Sequence, residues 1–150
     1  MLLYAPYANS YRRFRPGSYV PMNATWGWDN RTVMARVLRD PVGIRLEFRL
    51  PGADTNPYHV FAAIIAAGLD GAVRRLAPPE PVTGDATRLP PDLLPLDLTE
   101  AIGAFAASGV ARAAFGAGVQ AHLAALAARE RVAARLAVTD WDLARGFEFA

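Results

Sequence analysis

From Gly43 to Leu50 the side chains alternate: Ile44, Leu46, Phe48 and Leu50 are apolar, and Arg45, Glu47 and Arg49 between them are charged. A period of two fits a strand with one face on a core and the other toward solvent. One strand cannot satisfy its own backbone, so the chain must also supply a sheet partner. Arg31 to Leu38, apolar and partly β-branched, lies just upstream, and Arg39-Asp40-Pro41-Val42 between the two has turn chemistry. An antiparallel hairpin of strands 31–38 and 43–50 follows.

Before the hairpin, Pro6, Asn9, Ser10, Pro16, Gly17, Ser18 and Pro21 break the chain too often for a helix, which predicts loop. After it the pattern turns helical. Asn56 caps a helix with Pro57 at its first position, and Val60, Phe61, Ile64, Ile65, Leu69, Val73 and Leu76 are its expected core face. Pro78, Pro79 and Pro81 end it, and a proline-bearing loop runs to about Leu96. Asp97-Leu98-Thr99-Glu100 has capping-box form and opens a second helix that Ser108-Gly109 closes. Alanine-rich helix follows to about Ala137, loosened by Gly116 and Gly118, and Thr139-Asp140-Trp141-Asp142 caps a last short one. Strands first and helices after make an α+β fold, and 150 residues make one domain.

Composition removes several chemistries. There is no cysteine, so disulfides, thiol nucleophiles and cysteine zinc sites are excluded. All 16 basic residues are arginine, and without lysine neither a Walker phosphate loop nor a Schiff base is possible. His59 and His122 are too far apart for a helical metal pair. The longest apolar run, Val60 to Leu69, falls short of the roughly 20 residues of a spanning helix, and no signal peptide is visible. A cytoplasmic protein with no membrane partner is expected.

The net charge of +2 hides an asymmetry: residues 1–50 hold eight arginines against Asp29, Asp40 and Glu47, whereas the remainder is acidic. The Arg45-Glu47-Arg49 strand face reads either as a surface ion-pair ladder or as an anion site with a carboxylate able to hold a divalent metal. Arg31 and Arg36 on the neighbouring strand favour the anion site, because clustered guanidinium groups repel unless something anionic is present. Tyr11-Arg12-Arg13-Phe14-Arg15 could stack on single-stranded nucleic acid, but no basic stripe extends it, and a loop anchored by its aromatics is the plainer reading. Trp26 and Trp28 read as packing anchors, His59 as a structural histidine, and His122 has no role.

The order of motifs resembles the C-terminal part of a glutamine synthetase catalytic domain. The resemblance is carried by Asn9-Ser10-Tyr11-Arg12-Arg13 with Pro16-Gly17, then Trp26-Gly27-Trp28-Asp29-Asn30-Arg31-Thr32. It continues through Arg45-Leu46-Glu47-Phe48-Arg49-Leu50-Pro51-Gly52-Ala53-Asp54-Thr55-Asn56-Pro57-Tyr58, Ala66-Ala67-Gly68-Leu69-Asp70-Gly71 and Val138-Thr139-Asp140-Trp141-Asp142. The family joins glutamate to ammonia with ATP through γ-glutamyl phosphate. The resemblance implies that Arg13 and Arg49 hold glutamate and the transferring phosphoryl group, and that Arg31, Arg36 and Arg45 serve the nucleotide. Arg13, Arg31 and Arg49 are the catalytic candidates. Glu47 matches a ligand of the divalent metal, Mg2+ or Mn2+. The competing reading is a non-catalytic module that grips phosphate or nucleic acid with the arginine hairpin.

Two departures from the family pattern bear on function. Pro16-Gly17-Ser18-Tyr19 places Tyr19 where the family has a flap glutamate for ammonium, a form similar to the branch that makes γ-glutamyl amides from larger amines. No tyrosine stands near Thr87, before Leu89-Pro90-Pro91, so control by adenylylation is expected to be missing. The family's long N-terminal portion, with a β-grasp-like domain, further metal ligands and a glutamate-binding glycine loop, has no counterpart here. Residues 1–150 are therefore expected to be the C-terminal segment of such an enzyme, a fragment inactive alone and prone to fold poorly. The complete enzyme is expected to bind glutamate and an amine and to form a ring of identical chains.

Overall fold

The computed structural model describes residues 1–90 and 94–148, so Pro91 and the following part of the expected proline loop lie outside it. Three strands, β1 (Trp26–Trp28), β2 (Ala35–Asp40) and β3 (Gly43–Phe48), form a sheet in that order. Helices α1 (Pro57–Val73), α2 (Leu98–Ala107), α3 (Gly109–Leu136) and α4 (Asp140–Glu148) follow, giving the expected α+β arrangement. Among the described residues no single helix is long and apolar enough to cross a membrane.

The hairpin forms as the alternation requires, with β2 and β3 antiparallel and Arg36 opposite Glu47. Asp40 closes its turn by accepting from the Val42 and Gly43 amides at 2.9 and 3.1 Å. β2 begins later than the sequence suggests, because residues 31–34 are used to turn the chain. They connect β2 to β1, which lies beside it in parallel with Gly27 opposite Arg36. Parallel neighbours usually need a crossover of a dozen or more residues, yet here only residues 29–34 intervene. The tight return is possible because Asp29 takes a left-handed conformation, φ 43°, which aspartate tolerates. Asn30 Oδ1 then accepts from the Thr32 amide at 2.9 Å and from its hydroxyl at 2.6 Å. The segment expected as loop before β1 holds one short 3-10 helix, Ala8–Arg13.

The core lies where the N-terminal segment, the end of β3 and the helices meet. Leu2, Ala5, Tyr11, Phe14, Leu50, Leu98, Ala101, Phe105, Ala111 and Ala127 form one buried cluster. Asp97 caps α2 by accepting from the Glu100 amide at 2.8 Å, and Ser108 caps α3 through the Ala111 amide at 3.1 Å. The carbonyls left open at the end of α2 are taken by buried Gln120 of α3, whose Nε2 donates to Phe105 and Ser108 oxygens at 2.8 and 2.9 Å. The expected loosening of α3 is real: Gly116 adopts φ 78° and ψ 156°, which breaks the helical path.

Two apolar faces lack the cover their sequence pattern implies. On α1 only Val60 is buried, while Phe61, Ile65, Leu69 and Val73 are each more than half exposed, as is Leu76, which lies beyond the end of the helix. On the sheet, Phe48 packs edge-on to Tyr4 at 5.2 Å and Leu50 is fully enclosed, but Ile44 and Leu46 face solvent. Periodicity fixed which residues share a face, and nothing among the described residues covers those faces completely.

Candidate functional site

The pairing register carries Arg36 and Glu47 onto the same face of the sheet, with Arg49 just beyond the end of β3. Arg36 Nη1 meets Glu47 Oε2 at 2.8 Å, and Arg49 Nε lies 3.3 Å from Glu47 Oε1. On its other side Arg36 Nε donates to Asp29 Oδ1 at 3.0 Å, and Nη2 reaches the same oxygen. The result is a row of alternating sign, Asp29, Arg36, Glu47, Arg49. Hydrogen bonds donated to Asp29 first, and then to Glu47, hold the Arg36 guanidinium above its usual range. The arginines therefore do not face one another bare, as the sequence suggested. Asp29, absent from the sequence candidates, does much of the neutralising, and only its adjacency to the Asn30-Arg31-Thr32 turn hinted at a role.

Arg49 is nonetheless incompletely satisfied. Its Nη1 is buried without a hydrogen-bond partner, and its Nη2 reaches only the Tyr19 carbonyl, at 3.5 Å. Tyr19 is delivered by a tight turn in which Pro16 and Gly17 occupy the centre. Gly17 has φ 79°, and the Ser18 amide donates to the Arg15 carbonyl at 3.2 Å. Tyr19 follows in a left-handed conformation, φ 58°, and the residue is 81% exposed. Its carbonyl, not its ring, is the part that touches Arg49.

Arg13, at the end of the short 3-10 helix, donates from Nη2 to the Leu50 carbonyl and lies 5.0 Å above the Phe14 ring. Its Nε is also buried without a partner. Arg31 is exposed and lines, with Trp28, Asp29, Asn30, Arg36 and the 81–84 segment, an open cleft of about 700 Å³. The cleft's far wall is tied on by Asn30 Nδ2, which donates to Val82 and Gly84 carbonyls at 3.1 and 2.8 Å, and by Thr32 Oγ1, which accepts from the Ala86 amide at 2.8 Å. Arg45 stands apart near the hairpin turn, exposed, its nearest acid Asp40 at 3.8 Å.

The structure thus joins Arg36, Glu47, Arg49 and the Tyr19 backbone, brings Arg13 to the neighbouring Leu50, and sets Arg31 beside Arg36 along one cleft. Arg45 shares the face without joining the network. Buried guanidinium nitrogens left open suit oxygen atoms of a carboxylate or phosphate. For a divalent cation the fit is partial: Glu47 can give one oxygen ligand, and among the described residues no group of three His, Asp or Glu side chains could hold an ion.

Comparison with known proteins agrees with this chemistry. The glutamine synthetase catalytic domain matches residues 1–146. The chain is 48% identical to γ-glutamylethanolamide synthetase of Streptomyces coelicolor, over 98% of this chain and 32% of that protein. It is 40% identical to glutamate–isopropylamine ligase of a Pseudomonas species, over 95% of this chain and 32% of the other. Against γ-glutamylputrescine synthetase of Escherichia coli K12 it is 45% identical over 70% of this chain and 22% of that protein. The 150 residues thus span about a third or less of these relatives. With a domain match over nearly its whole length and relatives that include several γ-glutamyl amide synthetases, the chain belongs to the glutamine synthetase family.

Proposed function

We propose that these residues form the C-terminal segment of an ATP-dependent ligase that joins the γ-carboxylate of glutamate to an organic amine. The observation that carries this is Arg49, four-fifths buried, with Nη1 open and Nε on Glu47. A buried donor without a partner costs stability unless a ligand oxygen completes it. Membership of the glutamine synthetase family supplies the reaction class.

In this reading a glutamate carboxylate oxygen bonds to the γ-phosphorus of ATP as the bond to ADP breaks, giving γ-glutamyl phosphate. The amine nitrogen then bonds to the acyl carbon, phosphate leaves, and the amine gives up its proton to a base outside this segment. Arg13 and Arg49 hold the carboxylate and the migrating phosphoryl group. Arg31 and Arg36 bind the ATP phosphates, Arg36 exchanging a carboxylate partner for a phosphate oxygen, and Arg45 lies near the nucleotide. Glu47 is one ligand of Mg2+ or Mn2+, which when bound offsets phosphate charge. The complete enzyme is a cytoplasmic ring of identical chains.

Tyr19 supports an organic amine over ammonium. A carboxylate in the flap would attract a small cation and could take its proton, whereas a phenol ring offers an apolar, π-faced wall. The relatives that act on ethanolamine, isopropylamine and putrescine by their names point the same way. The test is ATP turnover by the full-length enzyme with glutamate plus each of these amines and ammonium, side by side. The highest kcat/KM with ammonium would return the protein to ordinary glutamine synthesis. Phosphate binding without turnover on any amine would favour the non-catalytic module.

A further inference from the structure

We propose that Asp54 is a positioning residue for Arg13: its carboxylate, anchored by Ser10, fixes the guanidinium that grips glutamate. The inference rests on the ligase reading of Arg13 and adds a residue to it. Arg13 ends the 3-10 helix Ala8–Arg13, whereas Asp54 lies in the loop between β3 and α1, so the two must be tied together for the guanidinium to point reproducibly. Ser10 supplies the tie. It is 3% exposed, accepts from the Tyr7 amide at 3.1 Å and donates to Asp54 Oδ2 at 2.6 Å, a short charge-assisted bond.

The other oxygen of Asp54 borders the same gap at Gly52 as Arg13, near enough for its charge to act on the guanidinium though the two form no ion pair. A Cβ at Gly52 would collide with Asp54 Oδ1 and would stand 2.6 Å from Arg13 Nη1, so both groups occupy the room that the missing side chain leaves. Thr55 Oγ1 donates to the Gly52 carbonyl at 2.8 Å and holds that turn. Burial pulls the Arg13 guanidinium below its usual range, and the field of Asp54 opposes the shift. Asp54 is exposed on its outer side, which screens that field and keeps its effect modest.

The test uses full-length enzyme. Asp54→Asn keeps the shape and the acceptor for Ser10 but removes the charge. It should raise KM for glutamate about fivefold while kcat and KM for ATP stay within about twofold. Ser10→Ala should shift glutamate KM in the same direction, and adding Asp54→Asn to Arg13→Lys should cause no further rise. Thermal melting confirms that each variant is folded. An unchanged glutamate KM in Asp54→Asn, equal losses for glutamate and ATP, or additivity with Arg13→Lys would each overturn the proposal. If Arg13→Lys itself leaves glutamate KM unchanged, the ligase reading of Arg13 fails instead.

Discussion

Arg36 and Glu47 stand directly opposite each other across β2 and β3, their side chains meeting at 2.8 Å, with Asp29 closing on the same guanidinium from the β1 side. The charge that would grip a phosphate is thus held in check by carboxylates until a stronger anion arrives. Replacing Glu47 by alanine leaves Arg36 to Asp29 and removes the one carboxylate beside Arg49. In the full-length ligase, Glu47→Ala should lower activity about a hundredfold or more. It should also raise the concentration of Mg2+ needed for half-maximal turnover. A metal titration that superimposes on that of the parent enzyme would remove Glu47 from the metal's ligands.

The arginines should not be equal. On the proposed ligase reading, Arg49→Ala and Arg31→Ala would each take away a charge-assisted contact to phosphate, and turnover should fall by about two to three orders of magnitude. Arg45, exposed and loosely matched with Asp40, should cost less than about tenfold as alanine. Steady-state kcat for the three variants gives the ranking directly, and equal effects would contradict it.

The 150-residue chain alone should show no ligase activity. Glu47 would supply a divalent cation with only one carboxylate where several oxygen ligands are needed, and charge stabilisation works only with the whole constellation in place. Glutamate-dependent release of phosphate from ATP by the purified chain is the measurement, and a rate above background would refute the fragment reading.

Tyr19→Glu should move the preference of the full-length enzyme toward ammonium. The new carboxylate sits in the turn set by Pro16 and Gly17, where its charge attracts a small cation and no longer offers an aromatic wall to a carbon chain. The ratio of kcat/KM for ammonium to that for the preferred organic amine should rise by about tenfold. A ratio that does not change would leave amine choice to residues outside the flap.

Gly27→Ala should destabilise the fold without touching any candidate ligand. A Cβ there would lie 2.6 Å from the Val82 carbonyl oxygen, a backbone atom that cannot swing aside. Overpacking of this kind costs about 1–3 kcal/mol, read as a lowered melting midpoint in the full-length protein. An unaltered midpoint would mean that the 82–86 segment yields easily.

Local chemistry was legible in the sequence; chemistry between distant segments was not. Asn56 and Asp97 cap their helices as their side chains predict, since a cap needs only its own next few residues, and Ser108, expected only to close α2, also caps α3. Alternation placed Arg45, Glu47 and Arg49 on one face correctly. β1 escaped notice because three residues cannot display a period and its parallel partner is found only through the Asp29–Met34 turn. The Ser10–Asp54 bond joins residues 44 positions apart, and no spacing rule reaches that far. The α1 face misled for a related reason: an apolar stripe states that something should cover it, not what.

The bonds from Asn30 and Thr32 to the 82–86 backbone have a mechanical meaning for the cleft beside Arg31. Floor and far wall are stitched through the same two side chains, so they travel as one body. An anion that settles there lies against a wall held in place, with the Arg31 and Arg36 guanidinium groups both on the lining. Of those two guanidinium groups, Arg36 is already engaged by Asp29 and Glu47, whereas Arg31 is exposed to solvent.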